Sequence, residues 1–208
     1  MKSPYLHADK AIRRMNRYME AAFQNLFVQT DFDELNLTQV KTAVSGMYAR
    51  IRKEAKDAYR EIVKAVILDA EKETGRKQDD LDDLLIVAAV LERYDPVTKY
   101  VYGQEWTRKR DRLTESIMSS QGRQEARVAF QRALRLLAGQ VAQYADNMTE
   151  EARKECFRQA GCENVMWHTQ HDSGVCGKCA ERDGQIYPLG RLPARHYKCR
   201  CYFTAVRN

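Results

Sequence analysis

Cys176-Gly-Lys-Cys179, Asp183-Gly184-Gln-Ile-Tyr187 and Pro193-Ala-Arg-His196-Tyr-Lys-Cys199-Arg-Cys201 follow one another near the C-terminal end of the 208-residue chain. In order they are a C-x2-C pair, a tight-turn signal and an H-x2-C-x-C group. Five soft or borderline metal ligands, Cys176, Cys179, His196, Cys199 and Cys201, thus fall within 26 positions. Zinc takes four ligands in a tetrahedron and is well served by thiolate and imidazole. A C-x2-C pair bends back so that both sulfurs face one point. Asp183-Gly184 then turns the chain toward the second ligand group, since Gly accepts a positive φ without steric cost. Cys199 and Cys201 stand two apart, so on an extended strand both point to the same side. The expected set is Cys176, Cys179, His196 and one of that pair, with Cys199 preferred. Two alternatives stand beside it: a disulfide pair, which needs an oxidising compartment, and free structural thiols.

Upstream, the hydrophobic pattern has helical period. Ala11, Met15, Met19, Ala22, Phe23 and Leu26 recur at steps of three and four and predict a helix over 8–28. Asn36 or Thr38 caps a longer helix over 38–73. Its seam of Val44, Tyr48, Ile51, Ala55, Ala58, Ile62 and Ala65 suits a bundle helix or an intersubunit coiled coil. Gly75 ends it. Asp79-Asp-Leu-Asp-Asp opens an almost wholly apolar helix that stops at Asp95-Pro96, and Val97 to Gly103 reads as an extended connector. Helices are expected over 105–119 and 126–144, with a break at Gln121-Gly122. A last helix is expected from Thr149 to Ala160, closed by Gly161. The first of these carries Arg108, Lys109, Arg110 and Arg112 beside Trp106, a group that suits nucleic acid or a solvated face paired with Glu105, Asp111 and Glu115.

After Gly161 the period becomes two, with Val165, Trp167 and Thr169 alternating with Met166 and His168. Ile186-Tyr187 and Tyr202 to Val206 add two short strands. Three short strands bury little apolar surface, and a metal can replace the missing core. The expected fold is therefore α+β, mostly α. A helical bundle over 1–147 is followed by a small zinc-stabilised antiparallel β-module over 148–208. Cys156 and Cys162 read as small buried apolar groups.

These motifs also carry a family resemblance. Trp167-x-Thr169, Asp172, Cys176-x2-Cys179, Asp183-Gly184 and Pro193-x2-His196-x2-Cys199-Arg-Cys201, in that order, resemble the phage Mu F-like head morphogenesis family, the minor head proteins. The match covers roughly 148–206. Where the family has a basic Arg-Thr-Glu-like helix start, this chain has Met148-Thr149-Glu150. The resemblance implies a low-copy virion component near the portal vertex or inside the head, made in the host cytoplasm, that assists head assembly or DNA packaging and delivery. The implied partners are the portal or major capsid protein, a second copy of the chain, or packaged DNA.

Charge bears on the last partner. Residues 1–100 balance at 17 basic and 17 acidic side chains. From Ser173 onward Lys178, Arg182, Arg191, Arg195, Lys198, Arg200 and Arg207 face only Glu181 and Asp183. A basic end suits a polyanion, so a zinc-dependent nucleic-acid-binding module is the alternative function, with an effector-like enzyme behind it. No P-loop, G-x-G-x-x-G, H-E-x-x-H or nucleophile elbow is present. A thiolate held by zinc in a closed four-ligand site is a poor nucleophile, and Asp172 reads as an acceptor for backbone N–H groups of its loop, so no enzyme is expected. The start of the chain lacks the apolar run of a secretory signal, and no stretch reaches the length of a membrane span. Metal analysis of the purified chain is expected to give about one zinc per chain, lost in a Cys176→Ser/Cys179→Ser double variant.

Overall fold

The computed structural model describes residues 4–76, 90, 100–196 and 199–206. Over these the protein is mostly helical with one small antiparallel sheet, the class its periodicity predicts. It divides into two units. One comprises Met1–Lys10, Arg60–Leu91 and Ala145–Asn208; the other comprises Ala11–Tyr59 and Glu92–Tyr144. The dividing points differ from the expected boundary after residue 147, which falls within a single continuous helix.

Four long helices lie among the described residues: α1 (Leu6–Gln29), α2 (Leu37–Thr74), α3 (Tyr100–Met118) and α4 (Arg123–Gln159). Asn36 caps α2, its Oδ1 accepting the Gln39 N–H at 3.1 Å. Gly75, at φ 74°, ends it. The α2 seam is buried from Val44 through Ile62, and burial then moves to Val66, Ile67 and Ala70. That drift follows from 3.6 residues per turn against a seven-residue repeat.

In the second unit the seam meets helices of its own chain. Tyr48 packs against Phe23 of α1 and edge-on against Trp106 of α3. Phe23 and Phe27 both meet Phe130 of α4 edge-on, and Tyr59 donates to the Val141 carbonyl at 3.3 Å. Each such aromatic pair contributes about 0.5–1.5 kcal/mol beyond its burial. A bundle thus accounts for the seam without an intersubunit coiled coil. On α3, Glu105 pairs with Arg108 and Lys109, and Arg110 pairs with Asp111. Much of that basic group is thereby matched within its own helix.

Three expectations change. Residues 100–103 are helical rather than an extended connector. Tyr and Val favour strands only where a pleated neighbour receives them, and here the helix that buries Trp106, Leu113 and Ile117 starts earlier. The helices expected over 126–144 and 149–160 are one, α4. Thr149 does not cap a start; its hydroxyl donates to the Ala145 carbonyl four residues back, a bond compatible with helix interior. No Gly or Pro between 140 and 160 interrupts the run. The helix expected from Asp79 to Asp95 lies outside the described residues except for Val90, which is buried.

The first unit joins parts of α1, α2 and α4 to the sheet. Gly161, at φ 74°, ends α4, with Cys162 N–H reaching the Phe157 carbonyl, the bond of a Schellman end. The strands β1 (Asn164–His168), β2 (Ile186–Pro188) and β3 (Tyr202–Ala205) pair antiparallel in the order β2-β1-β3. Val165 lies opposite Tyr187 and Ala205, and Trp167 opposite Phe203. Val165 and Trp167 are buried while their neighbours are half-buried. Cys156 is fully buried, as its reading predicts, and Cys162 half-buried. Among the described residues, no helix is long and apolar enough to cross a membrane.

One buried ion pair secures the sheet. Arg153 of α4 donates to Glu73 Oε2 and to the Phe203 carbonyl, both at 2.8 Å. Glu73 Oε1 accepts the Ala205 N–H at 2.7 Å. The Arg153 side chain is only 5% exposed. Glu73→Gln keeps an acceptor for Ala205 but leaves a buried guanidinium uncompensated. It is expected to cost about 3–5 kcal/mol in urea unfolding, and Glu73→Gln/Arg153→Met is expected to lose less than Glu73→Gln alone.

Candidate metal centre

The site grows out of β1. Trp167 is 1% exposed and forms a cluster with Cys179, Cys199 and Cys201, against which Val175, Tyr187 and Leu192 pack. After β1 the chain makes a hydrogen-bonded loop. Asp172 Oδ1 accepts the Gly174 N–H at 2.9 Å, the acceptor role its position suggests. A one-turn helix, α5 (Gly177–Ala180), follows Cys176 directly. The Cys176 carbonyl accepts the N–H groups of Cys179 and Ala180, and this tight winding turns both sulfurs of the C-x2-C pair toward His196.

The turn at Asp183-Gly184 is present, with Gly184 at φ 76°. Its Asp also acts across the loop. Asp183 Oδ1 accepts the Thr169 N–H at 2.7 Å, and Gly184 N–H reaches the Trp167 carbonyl at 2.8 Å. Both bonds tie the turn to the end of β1. Arg182 lies over the Trp167 ring and donates to the Ala194 carbonyl.

All five sequence-predicted ligands come together. Cys176, Cys179 and His196 form one group, and Cys179, Cys199 and Cys201 form another, with every ligand atom within 4.8 Å of the others in its group. Cys179 belongs to both. His196 Nε2 is 3.3 Å from the sulfurs of Cys176 and Cys179, and the Cys179 and Cys199 sulfurs are 3.7 Å apart. Tetrahedral coordination at ordinary bond lengths requires edges of about 3.8 Å between sulfurs and about 3.5 Å between sulfur and nitrogen. The donor set and its spacing therefore fit a metal ion. All six cysteines are free. The cluster opens on a shallow pocket of ≈ 190 Å³ that Gln170, Asp172 and Arg200 also line.

The thiols differ electrostatically. Hydrogen bonds from Cys179, backbone N–H first, hold the Cys176 thiol below its ordinary range, and His196 adds to this. Burial pushes Cys179 far up and Cys201 up to about 11. Of the other polar residues near the loop, His168 stacks on Tyr202 and bonds Thr204, while His171 faces Asp183 at 3.7 Å.

Arg195, Glu150 and Tyr5 belong to the site as well, and sequence reasoning treats Arg195 only as surface charge. Arg195 Nη1 donates to the Cys199 and Cys201 carbonyls at 3.2 and 3.3 Å and to the Tyr5 hydroxyl. Its other terminal nitrogen pairs with Glu150. The only available signal was its place beside His196, since Tyr5 stands 190 positions away.

Comparison with protein-family models, curated proteins and solved structures gave no match.

A metal held by thiolates must displace their protons, and the burial that raises the Cys179 thiol adds to that cost. Metal affinity is expected to fall as pH is lowered, by about tenfold per pH unit for each proton displaced. Calorimetric titration in buffers of different ionisation enthalpy would count those protons.

Proposed function

We propose that this chain is a structural, non-catalytic minor head protein of a phage, built in near the portal, whose C-terminal module is held by one zinc ion. The observation that carries this is the folding of the ordered motif around one cluster. Trp167 floors it, Asp183-Gly184 ties the turn to β1, and Cys176, Cys179, His196, Cys199 and Cys201 converge. Cys176, Cys179 and His196 would hold the ion with Cys199, whose sulfur lies at a tetrahedral edge from Cys179; Cys201 is the alternative fourth ligand. Bound there, zinc supplies a closed structural crosslink.

The nucleic-acid alternative is weakened by where the basic side chains go. Arg182, Arg195 and Arg200 each have intramolecular partners. Lys178 and Arg191 are exposed, and Lys198 and Arg207 lie outside the described residues. Quantitative mass spectrometry of purified phage particles beside empty precursor heads tests the assignment. A few to a dozen copies in both is the expected result. Presence only in precursors would make the chain an assembly factor, and absence from both would discard the virion role.

A further inference from the structure

The N-terminal turn reaches into the surroundings of the metal ligands. Tyr5 is 1% exposed and donates from its hydroxyl to the Cys201 carbonyl at 3.0 Å. The same hydroxyl accepts from Arg195, which also holds the Cys199 and Cys201 carbonyls. Arg195 is 9% exposed on its side chain, and Glu150 of α4 balances its charge. Arg200, between the two cysteines, donates to Asp9 Oδ1 at 2.9 Å and lies 4.9 Å over the Tyr5 ring. Gln170 donates to the Arg200 carbonyl at 2.8 Å. All three carbonyls of the Cys199-Arg200-Cys201 run are therefore held by side chains from elsewhere in the same unit.

We propose that Tyr5 and Arg195 are positioning residues of the metal centre, so that metal binding and docking of the N-terminal turn are one linked equilibrium. This rests on the metal reading above. The physical ground is the backbone of the C-x-C run. Fixing the carbonyls of Cys199 and Cys201 orients their peptide planes, and with them the Cα–Cβ bonds that aim both sulfurs at Cys179. Groups that orient ligands in this way typically change metal affinity by about 10- to 100-fold when removed. Linkage is reciprocal: if the docked turn favours the metal, the metal favours the docked turn by the same factor. Arg195 is strongly held, because leaving would separate its buried guanidinium from Glu150 and from both cysteine carbonyls at once. Tyr5 meets the loop through its hydroxyl and through its ring beneath the Arg200 guanidinium.

The experiment uses the full chain. Zinc affinity is measured by chelator competition for the wild type, Tyr5→Phe and Arg195→Met, with Tyr48→Phe of the other unit as control. Tyr5→Phe keeps the ring and removes only the hydroxyl, so it serves if Arg195→Met fails to fold. Amide exchange over residues 5–15 is followed with and without zinc, and the cobalt-substituted protein reports thiolate number through its charge-transfer intensity. Expected are a loss of about tenfold in affinity for Tyr5→Phe and up to about 100-fold for Arg195→Met, no change for Tyr48→Phe, and faster exchange at the Asp9 amide on metal removal. Wild-type affinity in Tyr5→Phe together with exchange indifferent to zinc would overturn the linkage while leaving the metal centre standing. A wild-type chain that takes up neither zinc nor cobalt stoichiometrically would overturn both.

Discussion

The sulfur of Cys179 is the point where the C-terminal module closes. It lies 3.3 Å from the His196 ring nitrogen and 3.7 Å from the Cys199 sulfur, and it belongs to both ligand groups. Strands of five, three and four residues cannot hold a loop of this length by burial alone. The thiols act there in two ways. As small apolar groups they pack with Trp167 into the core of the loop. With a metal bound they would also crosslink the C-x2-C turn to the C-x-C run, and the energy of such a crosslink would be folding energy. Their burial makes the packing effective, and it would raise the proton cost of ligation.

Arginine is the other recurrent connector of this unit. Arg153 connects α4 to α2 and to β3 through Glu73 and the Phe203 carbonyl. Arg195 connects α4 to the carbonyls of Cys199 and Cys201, and Arg200 connects that run to Asp9 of α1. Guanidinium suits this work because its planar fork serves several acceptors at once and it stays charged when buried. A count of basic residues near the C-terminus therefore overstates the charge offered to a partner. Asp146 shows the local consequence: burial lifts its carboxyl to about 6, against the pull of Arg200 and Arg195.

Most of the helical architecture was legible in the spacing of apolar residues. The α1 and α2 patterns, the caps at Asn36 and Gly75, and the switch of period after Gly161 all reappear in the structure. Two local readings failed for related reasons. Thr149 has the chemistry of a cap, and Tyr100 to Tyr102 have the chemistry of a strand, yet both lie within helices. A weak local preference of a few tenths of a kcal/mol yields when the surrounding helix buries a full face.

The sequence by itself determined the helical and strand periods, the turn at Asp183-Gly184, and the five residues able to meet at one point. Each depends on neighbours within a few positions, where backbone sterics and side-chain spacing act directly. Only the tertiary structure decided that the bundle seam is filled by the chain's own aromatics. It alone decided that Glu150 and Tyr5 serve the cysteine loop, and that Arg195 is internal rather than a surface charge. Those outcomes depend on which groups are desolvated together. A carboxylate or a carbonyl becomes a partner for arginine only when folding removes the competing water, and residues far apart in the chain carry no local trace of that event.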